Sequence, residues 1–256
     1  MVEVRADLTL ALDRVAFARA VGIEPDDWQR DLLRSSSDRT LLNCCRQSGK
    51  STMAALIGLH RALYRDGSLV LILAPAERQA KETFSKVTAL YRKAGHGTVP
   101  SDSYRKLGME LTNGSRIEAL PGTEKTIRGF SGVDLLILDE AARVDDGLYF
   151  AVRPMLAVSG GALIMLSTPA GRRGAFYEGW SEGEGWERFE VPAEECPRIS
   201  PEFLEEERQA LPRRVYRQEY ECSFEDTEDQ VFSYEDVHDA LDPGVMPLFG
   251  SESAGS

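Results

Sequence analysis

The sequence predicts an α/β fold, a mainly parallel sheet flanked by helices, and three observations predict it. Continuous apolar runs of strand length recur as "SLVLILAP" (68–75), "VDLLILDEA" (133–141) and "GALIMLSTPAG" (161–171), and Leu41-Leu42 opens a fourth. Such runs suit strands buried on both faces. Segments with helical spacing separate them, which is the alternation of a doubly wound sheet. The stretch "LLNCCRQSGKST" (41–52) leads from the first strand into a helix through Gly49-Lys50-Ser51, the context that a phosphate-binding loop requires.

The elements follow in order. Residues 7–21 read as a helix, with Leu8, Leu12 and Val15 on one face and Gly22 as its stop. "EPDDWQRDLLRS" is a second helix that begins after Pro25. After Lys50, the apolar positions Met53, Leu56, Ile57, His60 and Tyr64 recur at helical spacing, and Gly67 fits the helix end. Residues 76–93 are helical again, with Ala80, Phe84, Val87 and Tyr91 in register. "LGMELTNGSRIEAL" (107–120) alternates around Asn113-Gly114, a strong hairpin signal. The tail from about residue 225 is acidic and ends in Gly and Ser, which reads as a linker.

Composition narrows the function classes. The 256 residues carry a net charge of −12, but it is unevenly spread. Residues 181–256 hold 6 Lys and Arg against 21 Asp and Glu, leaving 24 against 21 in the first 180. An autonomous nucleic-acid binder is usually basic overall, so any DNA contact here falls to local patches or to an assembly. Those patches are 91–93, Arg172-Arg173, and Arg213-Arg214 with Arg217. No run reaches the length of a membrane span and the N-terminus lacks the order of a signal peptide, so a cytoplasmic protein is expected. Four cysteines without a C-x2-C pair give no zinc signature, and the three histidines show no ligand spacing.

The chemistry sits at the ends of the apolar strands. In the pattern G-x-x-x-x-G-K-[ST] the first glycine would stand at position 44, where this chain has Cys44. That glycine eases the turn out of the strand, whereas Gly49 lets the backbone approach the phosphates, so its loss is tolerable. A helix N-terminus beyond Gly49 suits phosphate. Lys50 would add a point charge at the β- and γ-phosphates of a nucleotide, and the Ser51 hydroxyl would join a Mg2+ shell. Asp139 and Glu140 end "LLILDE" at the carboxyl end of a strand, where ligands of open parallel sheets bind. Asp139 can hold Mg2+ through water and Glu140 can polarise the attacking water. The competing reading makes Asp139 the N-cap of a following helix. Ser167 and Thr168 of "LSTPAG" can meet the γ-phosphate, although alone the stretch reads as an ordinary strand-ending turn. Arg46 inside the loop suits an arginine finger in cis, and Arg128 in "TIRGFSG" suits a finger supplied to a neighbouring subunit or a DNA contact. Gln29 beside Trp28 can read an adenine edge, or Trp28 is core and Gln29 an ordinary helix residue.

Taken in order over about 24–225, these motifs resemble the ATPase domain of phage large terminases. "WQRDLLRS" resembles the adenine-binding glutamine region, and "CCRQSGKST" is similar to that family's phosphate loop, with Arg46-Gln47 inside it. "IRGFSGVDLLILDEA", "STPAGRRGAFYEGW" and "YRQEYECSFED" resemble its arginine-glycine loop, coupling motif and closing segment. The resemblance implies a P-loop NTPase fold, RecA-like, of the additional-strand catalytic-glutamate class. It implies an ATPase domain over 1–224 with a lid subdomain at about 175–224, and an acidic tail over 225–256 in place of the family's nuclease domain, so DNA cleavage is not expected. Gln29, Gln47, Ser48, Gly49, Lys50, Ser51, Thr52, Asp139, Ser167 and Thr168 would bind nucleotide, with Ser51 and Asp139 on Mg2+. Glu140, Arg46 and Arg128 would be catalytic. The implied activity is ATP hydrolysis driving double-stranded DNA into a procapsid in the host cytoplasm. The implied partners are a portal protein and a small terminase, with a homo-oligomeric ring when assembled and a monomer in isolation. Alternatives are another P-loop translocase or helicase-like ATPase, and a non-hydrolysing nucleotide-binding adaptor.

Overall fold

The computed structural model of the chain describes residues 8–95, 99–122, 127 and 129–226. Residues up to Glu225 form one compact unit, and a second, from Asp226 onward, lies almost wholly outside the described residues. The expected acidic linker therefore falls outside them.

Near the N-terminus the single helix read over 7–21 is corrected. Residues 8–12 are helical, and Asp13 then takes an extended conformation and restarts the chain as α1 (Arg14–Ala20). Its carboxylate accepts the amides of Val15 (2.8 Å) and Ala16 (3.2 Å), the N-cap chemistry that a short acid supplies. α2 (Asp27–Arg34) follows, then β1 (Arg39–Cys44), α3 (Lys50–Tyr64), β2 (Leu69–Ala74) and α4 (Glu77–Ala94). β3 (Ser101–Arg105), β4 (Gly108–Leu111) and β5 (Arg116–Pro121) come next. β6 (Leu135–Asp139) leads through a 3-10 turn at Ala141–Arg143 to α5 (Asp146–Val152) and β7 (Ala162–Ser167). α6 (Gly174–Ser181), β8 (Glu187–Val191), α7 (Pro201–Ala210) and α8 (Arg213–Tyr220) complete the unit.

The eight strands form one sheet in the order β3-β4-β5-β2-β6-β7-β1-β8. The six from β5 to β8 run parallel, and β4 pairs antiparallel with both β3 and β5. β7 lies between β1 and β6, so a strand is inserted between the one entering the phosphate loop and the one ending in Asp139-Glu140. This is the additional-strand arrangement that the resemblance implies.

Burial of both faces follows from the strand period of two. Leu42, Val70, Ile72, Ile137 and Ile164 face one core cluster, while their neighbours Leu41, Leu71, Leu73, Leu136 and Leu163 face the other. α3 comes so close to the first face that a Cβ on Gly58 would lie 3.2 Å from Val70 and 3.3 Å from Ile137. The expected hairpin is present, with Gly114 at φ +80°. Asn113 Nδ2 donates to the Ala62 carbonyl at 2.9 Å, satisfying one of the carbonyls that the end of α3 leaves open. β8 at the sheet edge escaped sequence reading, because it is short and three of its five residues, Glu187, Arg188 and Glu190, are charged. The stretch expected as a lid, about 175–224, thus supplies a strand to the main sheet before it folds as α7 and α8.

His60 in α3 has a structural role. Its Nε2 donates to the Leu10 carbonyl at 2.9 Å, and its ring packs on Phe17 and Tyr64. Burial first, with Arg14 and Arg61 adding to it and the Leu10 bond opposing it, pushes its pKa down to about 4 from 6.5. Between these values the unfolded chain binds a proton that the folded chain refuses. Stability is therefore indifferent to His60 above pH 6.5 and falls as pH drops toward 4, by up to about 3 kcal/mol. Thermal melts of wild type and His60→Phe across this window are expected to show a shallower pH slope for the variant. Equal slopes would clear His60 of the linkage.

Candidate nucleotide-binding and catalytic site

The loop between β1 and α3 is built around two left-handed residues, Gln47 at φ +60° and Gly49 at φ +92°. Cys44 is the fully buried last residue of β1 and is not among the left-handed positions, so the turn needs no glycine there. Gly49 caps α3 with no side chain bonded to the helix start, which leaves the positive end of a 15-residue helix facing the loop. A Cβ at Gly49 would stand 3.0 Å from Gln29 Nε2. Lys50 is buried, and its Nζ curls back to the Cys45 carbonyl and to Thr168 Oγ1, both at 3.3 Å. Burial raises the Cys44 thiol pKa, and the hydrogen bond of Cys45 with Cys196, followed by burial, raises the Cys45 pKa, so both stay protonated and act as packing groups.

At the carboxyl end of β6, Asp139 is 3% exposed and accepts three donors. Ser51 Oγ reaches its Oδ1 at 3.4 Å, the Glu140 amide reaches the same atom at 3.0 Å, and Thr83 Oγ1 of α4 bonds Oδ2. The N-cap reading is not realised: the 3-10 turn starts after Glu140, and the Asp139 carboxylate faces the phosphate loop. Glu140 itself is left-handed, at φ +55°, a strained backbone for a residue with a Cβ. Its Oε2 accepts Arg143 Nη1 at 2.8 Å, and that same nitrogen reaches the Thr168 carbonyl at 3.5 Å. Lys50, Thr168, Arg143 and Glu140 thereby form one chain of contacts across the carboxyl ends of β1, β7 and β6.

The other expected residues divide. Ser167 turns its hydroxyl onto the Thr168 carbonyl at 2.7 Å, so Thr168 is the member of the pair that meets Lys50. Gln29 is buried; its Oε1 accepts the Asp26 amide at 3.1 Å and its Nε2 donates to the Ser48 carbonyl at 3.3 Å. Ser48 is fully buried, Gln47 is exposed and Thr52 is half-buried in the first turn of α3. Arg46 is exposed and pairs through its guanidinium with Glu219 of α8. The Glu219 hydrogen bond raises the Arg46 pKa, partial burial opposes it, and the charges of Glu219 and Glu140 add to the rise. Arg128 lies outside the described residues. Sequence reasoning missed Thr83, Arg143, Arg198 and Glu219. Only Arg143 had a local signal, three residues after Glu140 on a turn.

A surface cavity of about 670 Å3 lies elsewhere, at the opposite ends of β1 and β7, lined by Arg39, Phe150, Arg153 and Gly161 among others. Ligands of open parallel sheets sit at the carboxyl ends of strands, so the convergent side chains locate the site better than this hollow does.

A terminase large-subunit, T4-like-virus-type, N-terminal domain model matches residues 41–239. The large terminase subunit of Escherichia phage T5 is 28% identical over 233 residues, covering 86% of this chain and 52% of that protein. That of Thermus virus P23-45 is 28% identical over 253 residues, with 85% and 52% covered. The chain thus spans about half the length of the curated relatives it matches. Among solved structures, the ATPase domain of the Thermus phage P74-26 large terminase superposes with a TM-score of 0.70 at 25% identity, covering 82% of this chain and 97% of that one. The HK97 bacteriophage large terminase has a TM-score of 0.66 at 18% identity, covering 84% and 55%, a likeness of fold. With its phosphate loop, its Asp139-Glu140 strand end and most of its length inside the matched region, the chain belongs to the terminase large-subunit family and contains that family's N-terminal domain.

Proposed function

We propose that this chain is the ATPase part of a viral DNA-packaging motor, hydrolysing ATP with Mg2+ to move double-stranded DNA into a procapsid. The observation that carries the reading is the contact chain from Lys50 through Thr168 and Arg143 to Glu140. It joins the phosphate loop after β1 to the acid at the end of β6, across the intervening β7. The P74-26 relative is itself described as a large terminase ATPase domain.

In this mechanism Lys50 leaves Cys45 and Thr168 to meet the β- and γ-phosphates, and the open amides at the start of α3 complete the cradle. The Ser51 hydroxyl and Asp139 carboxylate are hard oxygen donors 3.4 Å apart, a set that fits Mg2+. When bound, Mg2+ neutralises charge on the phosphate oxygens. Glu140 exchanges its partner Arg143 for the attacking water, orients it and accepts its proton. Arg46 exchanges Glu219 for the transferring phosphoryl group. Arg128 acts as a finger toward a neighbouring subunit or as a DNA contact. The lid role of 175–224, the homo-oligomeric ring, the portal and small-terminase contacts, and the host cytoplasm as the site of action belong to the same reading.

Phosphate release from ATP tests it. The concentrated chain is expected to turn over ATP with Mg2+, to lose at least about tenfold of that rate in excess EDTA, and to respond to duplex DNA. Turnover indifferent to EDTA would remove Ser51 and Asp139 from metal binding. An inert chain, alone and with portal and duplex, would favour the adaptor reading. Strand separation driven by ATP would favour the helicase-like one.

A further inference from the structure

We propose that Arg198 is a positioning residue of the phosphate loop, one that aims the Gly49 amide at the nucleotide. The inference rests on the reading of this loop as a nucleotide site.

Arg198 lies between β8 and α7, about 150 residues from the loop it touches. Its Nη2 donates to the Ser48 carbonyl at 2.7 Å, and its Nη1 donates to Asp26 Oδ2 at 2.7 Å. Gln29 Nε2 reaches the same Ser48 carbonyl at 3.3 Å. One buried carbonyl is thus held by two side chains, one of them cationic, and Asp26 and Gln29 both belong to the start of α2.

The consequence follows from peptide geometry. In a planar trans peptide the carbonyl and the next N–H point in opposite directions. Fixing the Ser48 carbonyl toward Arg198 and α2 therefore turns the Gly49 N–H away from them, across the loop. Gly49 is the residue that caps α3, where the backbone donors of a phosphate cradle are needed. The clamp also accounts for glycine at this position: a Cβ there would meet Gln29 Nε2 at 3.0 Å and Arg198 Nη2 at 3.6 Å, on top of its left-handed φ.

The segment carrying Arg198 holds the loop's other end as well. The Cys45 amide donates to the Val191 carbonyl at 3.0 Å, and the Cys45 and Cys196 sulfurs are 3.6 Å apart. Residues 191–198 therefore brace both the first residue of the loop and the peptide before its glycine. Arg198 is not a spare cation for phosphate, because the largely buried Asp26 carboxylate pairs with it. Its effect on ligand is exerted through the backbone.

Titration with Mg2+ and an ADP carrying a fluorescent ribose label tests this, using wild type, Arg198→Ala, Arg198→Lys, Asp26→Asn and Lys50→Ala. Arg198→Ala is expected to weaken binding about tenfold, the scale of one charge-assisted hydrogen bond. Lysine reaches one anchor and not both, so Arg198→Lys recovers part of the loss. Asp26→Asn keeps an N-cap side chain and frees Arg198 from its partner; its effect is smaller and is not added to that of Arg198→Ala in the double variant. In turnover the loss falls on KM, whereas damaged folding would lower the active fraction and hence kcat at unchanged KM. Binding by wild type with Arg198→Ala and Asp26→Asn both within about twofold of it, against a clear loss in Lys50→Ala, overturns the role of Arg198 and leaves the nucleotide site standing. No binding by wild type overturns the site and this inference together. If Arg198→Ala does not fold, Arg198→Lys and Asp26→Asn decide by the same criterion.

Discussion

Lys50→Ala is expected to abolish measurable ATP turnover and to weaken nucleotide binding by at least about hundredfold, the effect of removing a charge-assisted contact to phosphate from a water-poor site. The size follows from where the ammonium sits. Lys50 is buried, and its Nζ bridges the Cys45 carbonyl and Thr168 Oγ1, so it lies between the start of the loop and the end of β7. The same burial gives the substitution a folding cost, because two acceptors lose their donor, about 1–3 kcal/mol in all. Lys50→Met keeps the volume of the stem and shares the loss of charge. It is expected to match Lys50→Ala in turnover while melting closer to wild type. Binding within about threefold of wild type in both variants would mean that phosphate lies elsewhere.

Glu140→Gln is expected to lower kcat by about 10^2- to 10^4-fold, the range for loss of a general base, with nucleotide affinity nearly unchanged. Glutamine is isosteric and keeps an oxygen for Arg143, which now holds Glu140 Oε2 at 2.8 Å. What it loses is the capacity to take a proton from water. The left-handed backbone at Glu140 persists in the variant, so neither the path of β6 nor the seat of Asp139 changes. A kcat close to wild type would assign the base to another group. A large loss of affinity would instead assign Glu140 to ligand binding.

The central architecture was legible because its signals are local. β2, β6 and β7 are buried at every position, and the sequence shows this as unbroken apolar runs. Gly49 and the hairpin at Asn113-Gly114 are legible for a related reason, since left-handed turns select glycine and asparagine. β3 and β8 were not, because both are five-residue edge strands rich in polar and charged residues, with no apolar run to mark them. The split of the first helix at Asp13 was hidden by an apolar period that continues through it.

For the site, Lys50, Asp139, Glu140 and Thr168 were found by motif, and the structure brings them together. The side chains that hold them were not found. Thr83 meets Asp139 from 56 positions away, Arg198 meets Ser48 from 150, and Glu219 meets Arg46 from 173. No periodicity reports contacts between separate elements, and an Arg or Thr on a helix or loop is by default a solvated residue. Ser167 sits at the strand end that suggested ligand contact, and in this structure its hydroxyl donates to the adjacent Thr168 carbonyl.

A crystal structure of the Glu140→Gln variant with ATP and Mg2+ is the sharpest test of this mechanism, because the variant should hold unhydrolysed nucleotide in the site. The γ-phosphate is expected within hydrogen-bond reach of Lys50 Nζ, with the metal on Ser51 and Asp139. The substituted side chain at position 140 is expected to turn from Arg143 toward a water in line with that phosphate, with Arg46 released from Glu219. A nucleotide seated away from this loop, or a γ-phosphate approached by neither the side chain at position 140 nor Arg46, would contradict it.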